Sequence, residues 1–268
     1  MMHKLLVAKH SHSLESPHYF WLGYFLPIVN ELRKNKSKNV MFFVRNCGPM
    51  TNWLEFLKNK HPVVIVKPGL LLKYYLDDIP SVVFDYWDDE DRFNREEFLE
   101  TVNFLKNEYT QEPLIDLKKI GVLNRNKPLD FYNSGQQELY ATSNFKRSIK
   151  NIDELKIEIS KLYDCELIDT TLNSPEESIN IYSNLNVLIG QFGAGLTNML
   201  WMKKGSLIIE IFSKNDTNPE DKKECYKKLS ETLGHKYIRV PAQDSWAGDV
   251  DIDLIIETIQ KEDKLLSL

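Results

Sequence analysis

The sequence predicts an α/β protein of two doubly wound domains, each built on a parallel sheet, with a cleft between them. Short apolar runs alternate with helical stretches along the whole chain. Those stretches are long enough to serve as right-handed crossovers, which makes the strands parallel. The 268 residues suffice for two modest cores. Gln111-Glu112-Pro113 reads as a hinge, which sets the domains at residues 1–113 and 114–268.

In the first half, Leu5 to Ala8, Val40 to Val44, Val63 to Val66 and Val82 to Phe84 read as strands. Helices are expected over Trp21 to Leu32, interrupted by Pro27, and near Asn52 to Lys60 and Asn94 to Asn107. The second half is more regular. Lys119 to Asn124 is a strand, followed by a helix capped by Asn151 with Glu154 three residues on, and then the strand Glu166 to Asp169. Ser174-Pro175-Glu176-Glu177 is a capping box with proline at the first helical position, leading into the strand Val187 to Ile189. A charged helix around Glu220 to Leu233 stops at Gly234, and the strand Lys236 to Val240 precedes a final helix from about Asp251.

Composition narrows the function. Apolar content of 42% and charged content of 27% describe an ordinary globular protein. A net charge of −5 with no arginine stripe argues against a nucleic-acid partner. Cys47, Cys165 and Cys225 lack metal-type spacing and are too few for a disulfide framework, which fits a reducing compartment. No run approaches the roughly 18 apolar residues of a membrane span. The N-terminus has neither the apolar run nor the cleavage pattern of a signal peptide, so a cytoplasmic location is expected, in a bacterium or from a virus.

The densest chemistry lies in NVLIGQFGAGLTNMLWMKKGSLIIEI, from Asn186 to Ile211. A buried strand ends in a turn carrying Gly190, Gly193 and Gly195, and glycine lets another group approach the backbone closely. Thr197 and Asn198 stand where a helix is expected to begin, and a helix N-terminus offers N–H groups to an anion. A second strand, Leu207 to Ile211, carries Glu210 near its carboxyl end.

GAGLTNMLWMKKGSLIIEI resembles the signature of glycosyltransferase family 61, HGAGLTN followed by a hydrophobic helix and GS-x-x-IE. SPEESINIYSNLNVLIG, KRSIKNIDEL, GVLNRNK and LGHKYIRVPAQ resemble further segments of that family in the same order, over roughly Ile120 to Ile259. More weakly, SPHYFWLGYFLPIVNEL resembles its first helix, with Phe20 at the family's histidine and Tyr24 at its acid. The resemblance implies a GT-B fold of two Rossmann-like domains, acceptor-side at 1–113 and nucleotide-sugar-binding at 114–268. It implies an inverting, metal-independent transfer of xylose or N-acetylglucosamine from a UDP-sugar to a hydroxyl of a glycan or glycoprotein, with no cofactor. Arg125, Arg147 and Lys146 are the cations for the diphosphate, arginine ranking first because its fork grips two phosphate oxygens. Phe192, Gly193, Ala194, Gly195, Leu196, Thr197 and Asn198 supply the turn, and Glu210 a sugar or ribose acceptor. Phe192 departs from the family, which has histidine there.

An inverting transferase needs a base at the acceptor hydroxyl. His12, Glu15 and His18 in the segment after the first strand are candidates, and Asp85 is a rival, with Asp88, Asp77 and Asp78 beside it. The run DYWDDED, Asp85 to Asp91, reads either as a metal-binding D-x-D motif or as the acidic start of the helix near Asn94, the latter being favoured. Tyr86 and Trp87 are either a sugar-stacking platform or core. Two other functions stay open: a sugar-nucleotide-binding, lectin-like protein without turnover, and an NAD(P)-dependent oxidoreductase, since GAGLTN partly mimics G-x-G-x-x-G.

Overall fold

A computed structural model describes residues 4–8, 20–34, 40–45, 47–61, 63–66, 81–82, 94–109, 119–125, 148–169, 174–213, 224–243 and 248–266. The chain divides into two compact units, Met1–Tyr109 and Thr110–Leu268. Each is α/β with a wholly parallel sheet.

The first unit carries β1 (Lys4–Ala8), β2 (Val40–Arg45), β3 (Val63–Val66) and β4 (Ser81–Val82), in the order β3-β2-β1-β4. The strand order reverses between β1 and β4, where Val7 and Ala8 pair with Ser81 and Val82. Its helices are α1 (Leu26–Lys34), α2 (Thr51–Lys58) and α3 (Arg95–Tyr109). The expected interruption at Pro27 takes the form of a single π-helical turn, Trp21–Phe25, that runs straight into α1. Proline has no N–H to return to the Gly23 carbonyl and its ring crowds that carbonyl, so the turn before it widens. The Leu26 N–H accordingly reaches the Trp21 carbonyl, five residues back. This turn is wholly buried, with Trp21 edge-on to Trp53 of α2 at a 4.4 Å centroid distance.

A polar clamp joins α1 to α3. Asn30 is 1% exposed, and its Oδ1 accepts from Thr101 Oγ1 at 3.0 Å and Arg33 Nη2 at 3.1 Å. Arg33 pairs with Glu100 at 2.7 Å and Lys34 pairs with Glu97. Burial raises the Glu97 pKa, but the bonds from Lys34 and Asn30 and the charges of Lys34 and Arg33 outweigh it, so the carboxyl titrates below its ordinary 4.5.

The second unit runs β5 (Lys119–Asn124), α4 (Ile152–Ser160), β6 (Asp164–Asp169), α5 (Pro175–Ser183), β7 (Val187–Gln191), a 3-10 helix (Ala194–Trp201), β8 (Leu207–Ser213), α6 (Cys225–Leu233), β9 (Lys236–Ala242) and α7 (Ile252–Leu266). Its strand order is β6-β5-β7-β8-β9. The chain steps from β5 outward to β6, then crosses back to β7 and continues the other way. With right-handed crossovers this places α4 on one face and α5, the 3-10 helix and α6 on the other. The first face holds the main apolar core, with Ile120, Val122, Ile189, Ile209 and Ile211 of the sheet against Leu155 and Ile159 of α4 and Ile255 and Ile259 of α7.

Local signals explain most of these boundaries. The capping box is formed, with Glu177 N–H donating to Ser174 Oγ at 3.2 Å and Ser174 N–H to Glu177 Oε2 at 2.8 Å. Gly234 ends α6 in the left-handed conformation, φ 77°. Asn151 differs from expectation. Its side chain makes no cap; Nδ2 donates to the Val250 carbonyl and Oδ1 accepts from the Val250 N–H, each at 3.0 Å. Among the described residues no helix is long and apolar enough to cross a membrane.

Two stability predictions follow from these contacts. A Cβ on Gly121 meets Leu185 Cδ1 at 2.7 Å and also the end of Ile168, so Gly121→Ala overpacks the β5–β6 region. It is expected to cost about 1–3 kcal/mol in urea unfolding. Because the Glu97 pKa is depressed on folding, its contribution is present above its unfolded value of 4.5 and is lost as pH falls through the folded value. Glu97→Gln is therefore expected to be less stable than wild type at neutral pH, with the gap closing on acidification, as measured by thermal melts from pH 7 to 3.

Candidate functional site

In an open parallel sheet, ligands sit at the carboxyl ends of the strands where the strand order reverses. In the second unit that point lies between β5 and β7. Arg125 follows β5 directly, and Phe192 and Gly193 follow β7. The two ends meet there. Arg125 Nη1 donates to the Phe192 carbonyl at 3.3 Å, and its guanidinium lies against the Gly193 α-carbon, where a Cβ would come 2.9 Å from Cζ. Gly193 also has φ of +156°, a value that L-residues rarely adopt. Absence of a side chain therefore does two things here: it permits the backbone turn and makes room for a cation.

The turn continues as the expected short helix, of 3-10 form. Its first bond is Leu196 N–H to the Gly193 carbonyl at 3.0 Å. The amides of Ala194 and Gly195, ahead of that bond, have no acceptor within the helix. Both residues are partly exposed. Thr197 and Asn198, expected at the helix start, stand in its middle. Thr197 is 0% exposed, and Asn198 Nδ2 donates back to the Gly195 carbonyl at 3.0 Å, bracing the turn from behind. Leu196 is buried in the same way. At the turn, Ala194, Gly195 and Asn198 stay partly exposed, as does Arg125 beside them.

Phe192 is 9% exposed, edge-on to Tyr226 in the first turn of α6 at 5.2 Å. Its ring thus packs as a wall between β7 and α6. Gly190, one turn of the pleat earlier, is required by packing, since a Cβ there meets the Leu123 side chain at 3.0 Å and closer.

Glu210 differs most from its expected place. It stands mid-strand, in register with Gly190 and Arg239, while β8 runs on to Ser213. It is 1% exposed, and its Oε1 accepts from Arg239 Nε at 2.9 Å. The Tyr237 hydroxyl bonds the same carboxylate. Burial raises the Glu210 pKa against the lowering effect of Tyr237 and Arg239. The same burial, with the Glu210 charge added, pushes Cys225 up to about 12 and Tyr237 upward as well. A carboxylate so enclosed is an internal partner for Arg239, not an open acceptor. The Arg239 guanidinium in turn lies over the Phe212 ring at 4.4 Å.

Arg239, Tyr237 and Tyr226 were not read as site residues from the sequence. The alternation in KYIRVPA offers a signal: Tyr237, Arg239 and Pro241 share one face, and β8 presents Glu210 on that face at matching register. Arg147, Lys146, His12, Glu15, His18 and Asp85 lie outside the described residues, as do DYWDDED and Tyr86 and Trp87.

An arginine, a glycine turn and two helix-start amides thus meet at the switch point of a doubly wound unit, an arrangement chemically able to receive an anion. The turn follows the third strand of its unit, whereas a dinucleotide fingerprint follows the first. Residues 5–209 match the family model Glycosyltransferase 61, and the chain belongs to that family. That family is one of glycosyltransferases. Over 93 residues it is 31% identical to the EGF domain-specific O-linked N-acetylglucosamine transferase of Drosophila melanogaster, a match covering 34% of this chain and 17% of that relative.

Gly193→Ala tests the geometry at the turn. The added methyl overlaps the guanidinium and forces a strained φ, so a loss of about 1–3 kcal/mol in stability is expected. The same variant should weaken inorganic pyrophosphate binding, measured by calorimetry, because Arg125 is displaced.

Proposed function

We propose that this chain transfers a sugar from a UDP-sugar, of the xylose or N-acetylglucosamine class, to a hydroxyl of a glycan or glycoprotein. The reading takes the transfer as inverting and metal-independent, in a GT-B arrangement with the donor on the second unit. The observation that supports it is the convergence of Arg125 on Gly193 at the β5–β7 switch point. The name of the Drosophila relative favours an N-acetylglucosamine donor.

The chemistry is a single displacement. The acceptor oxygen attacks the anomeric carbon, a base takes the hydroxyl proton, and the bond to the β-phosphate oxygen breaks. The departing diphosphate gains negative charge, and fixed donors stabilise that charge without having to reorganise. In this reading Arg125, with Arg147 and Lys146, supplies the cations, and Ala194 and Gly195 supply the amides. One of His12, Glu15, His18 and Asp85 supplies the base. Glu210, being enclosed, supports the site through Arg239.

A thermal-shift panel of UDP- and GDP-sugars, with and without chelator, tests this. UDP-sugars are expected to raise the melting temperature equally in both conditions, and Arg125→Ala to remove the shift. Arg125→Ala is also expected to lower transfer by about 100-fold or more, the scale of a lost transition-state donor. If no nucleotide shifts the melting temperature, the transferase reading fails. A shift abolished by chelator overturns its metal-independent form, and binding without sugar hydrolysis or transfer favours the lectin-like alternative.

A further inference from the structure

Alternation along the strands puts Arg125 and Arg239 on one face of the second sheet. Leu123 meets Gly190, which pairs with Glu210, which pairs with Arg239. Phe212 lies two residues beyond Glu210 on that same face. Since Gln191 pairs with Ile211, Phe212 is level with Phe192 at the carboxyl edge. Each arginine leans across toward the middle of this edge. Arg125 leaves β5 and lies on Gly193, beyond β7. Arg239 leaves β9 and lies over Phe212 of β8. Both arginines thus lie on one face of the sheet, Arg125 against the turn that ends β7 and Arg239 over Phe212 of the neighbouring strand β8.

Arg239 is also held as a binding group is held. Its Nε is fixed by a carboxylate that is 2% exposed at the side chain, its plane lies over an aromatic ring, and its own side chain remains 27% exposed. Ordering a long cation before the ligand arrives removes part of the entropy cost of binding. We propose that Arg239 is a second cationic contact for the donor's diphosphate, and that Glu210 is its positioning residue, acting through it without touching the donor. This rests on the nucleotide-sugar reading given above.

Calorimetry with UDP and with uridine separates a phosphate contact from a structural role. Arg239→Ala is expected to weaken UDP binding about tenfold and to leave uridine binding unchanged, the scale of one charge-assisted contact. Glu210→Ala is expected to lose as much, and the double variant no more than either single one, because the two act as a unit. Glu210→Gln, which keeps an acceptor for Nε, should restore most of the affinity. If Arg239→Ala does not fold by circular dichroism, Arg239→Lys decides. It keeps the charge without the fork and is expected to weaken UDP alone, by about threefold. UDP affinity unchanged in the folded Arg239 variant, or UDP and uridine weakened alike, overturns the inference. If wild type binds no UDP, this inference and the transferase reading fall together. If Arg125→Ala loses UDP and Arg239→Ala keeps it, this inference alone falls.

Discussion

The contact between the Arg125 guanidinium and the bare α-carbon of Gly193 is the constraint on which the geometry of the second unit's switch point depends. It needs β5 and β7 to be neighbours, which the crossover out to β6 and back provides. It needs a residue without Cβ at one strand end and a long planar cation at the other. It also needs the turn held still. Asn198 does this by bonding back to Gly195, and Phe192 by packing on Tyr226. Remove any one and the cation loses its seat.

Charge is managed differently at the two ends of this edge. Arg125 rests on backbone, its Nη1 donating to the Phe192 carbonyl. Arg239 is tied to Glu210 in a pocket where burial works against the carboxylate's ionised form. A buried pair of this kind gives little net stability, because desolvation offsets the attraction. What it gives is direction: the pair fixes where a guanidinium lies relative to Phe212.

Much of the fold was legible because its signals are local. Lys119–Asn124, the Ser174 capping box and the Gly234 stop follow from a few adjacent residues each. The glycine turn and Arg125 could be singled out from the sequence, since both sit at strand ends with family-like neighbours. Three features were not legible, each for a stated cause. Glu210's enclosure depends on register with Arg239, 29 residues away in the chain. The 3-10 form of Ala194–Trp201 depends on how that short segment packs against α5 and α6, which composition does not reveal. Asn151 has the sequence position of a cap, yet a distant backbone group outcompetes the local one.

That last capture has a consequence for how the unit is made. Asn151 exchanges two hydrogen bonds with Val250, 99 residues downstream, and the neighbouring Lys150 N–H bonds the Gly248 carbonyl at 3.1 Å. The side-chain amide thus behaves as an extra strand residue that clasps the return of the chain. The apolar side of α4 is covered in part by α7, which follows the clasp. During synthesis on a ribosome, the first crossover therefore stays uncovered until residues beyond 250 have emerged. Such long-range closure is slow relative to local helix formation. The growing chain is left with an apolar flank that a chaperone is suited to shield.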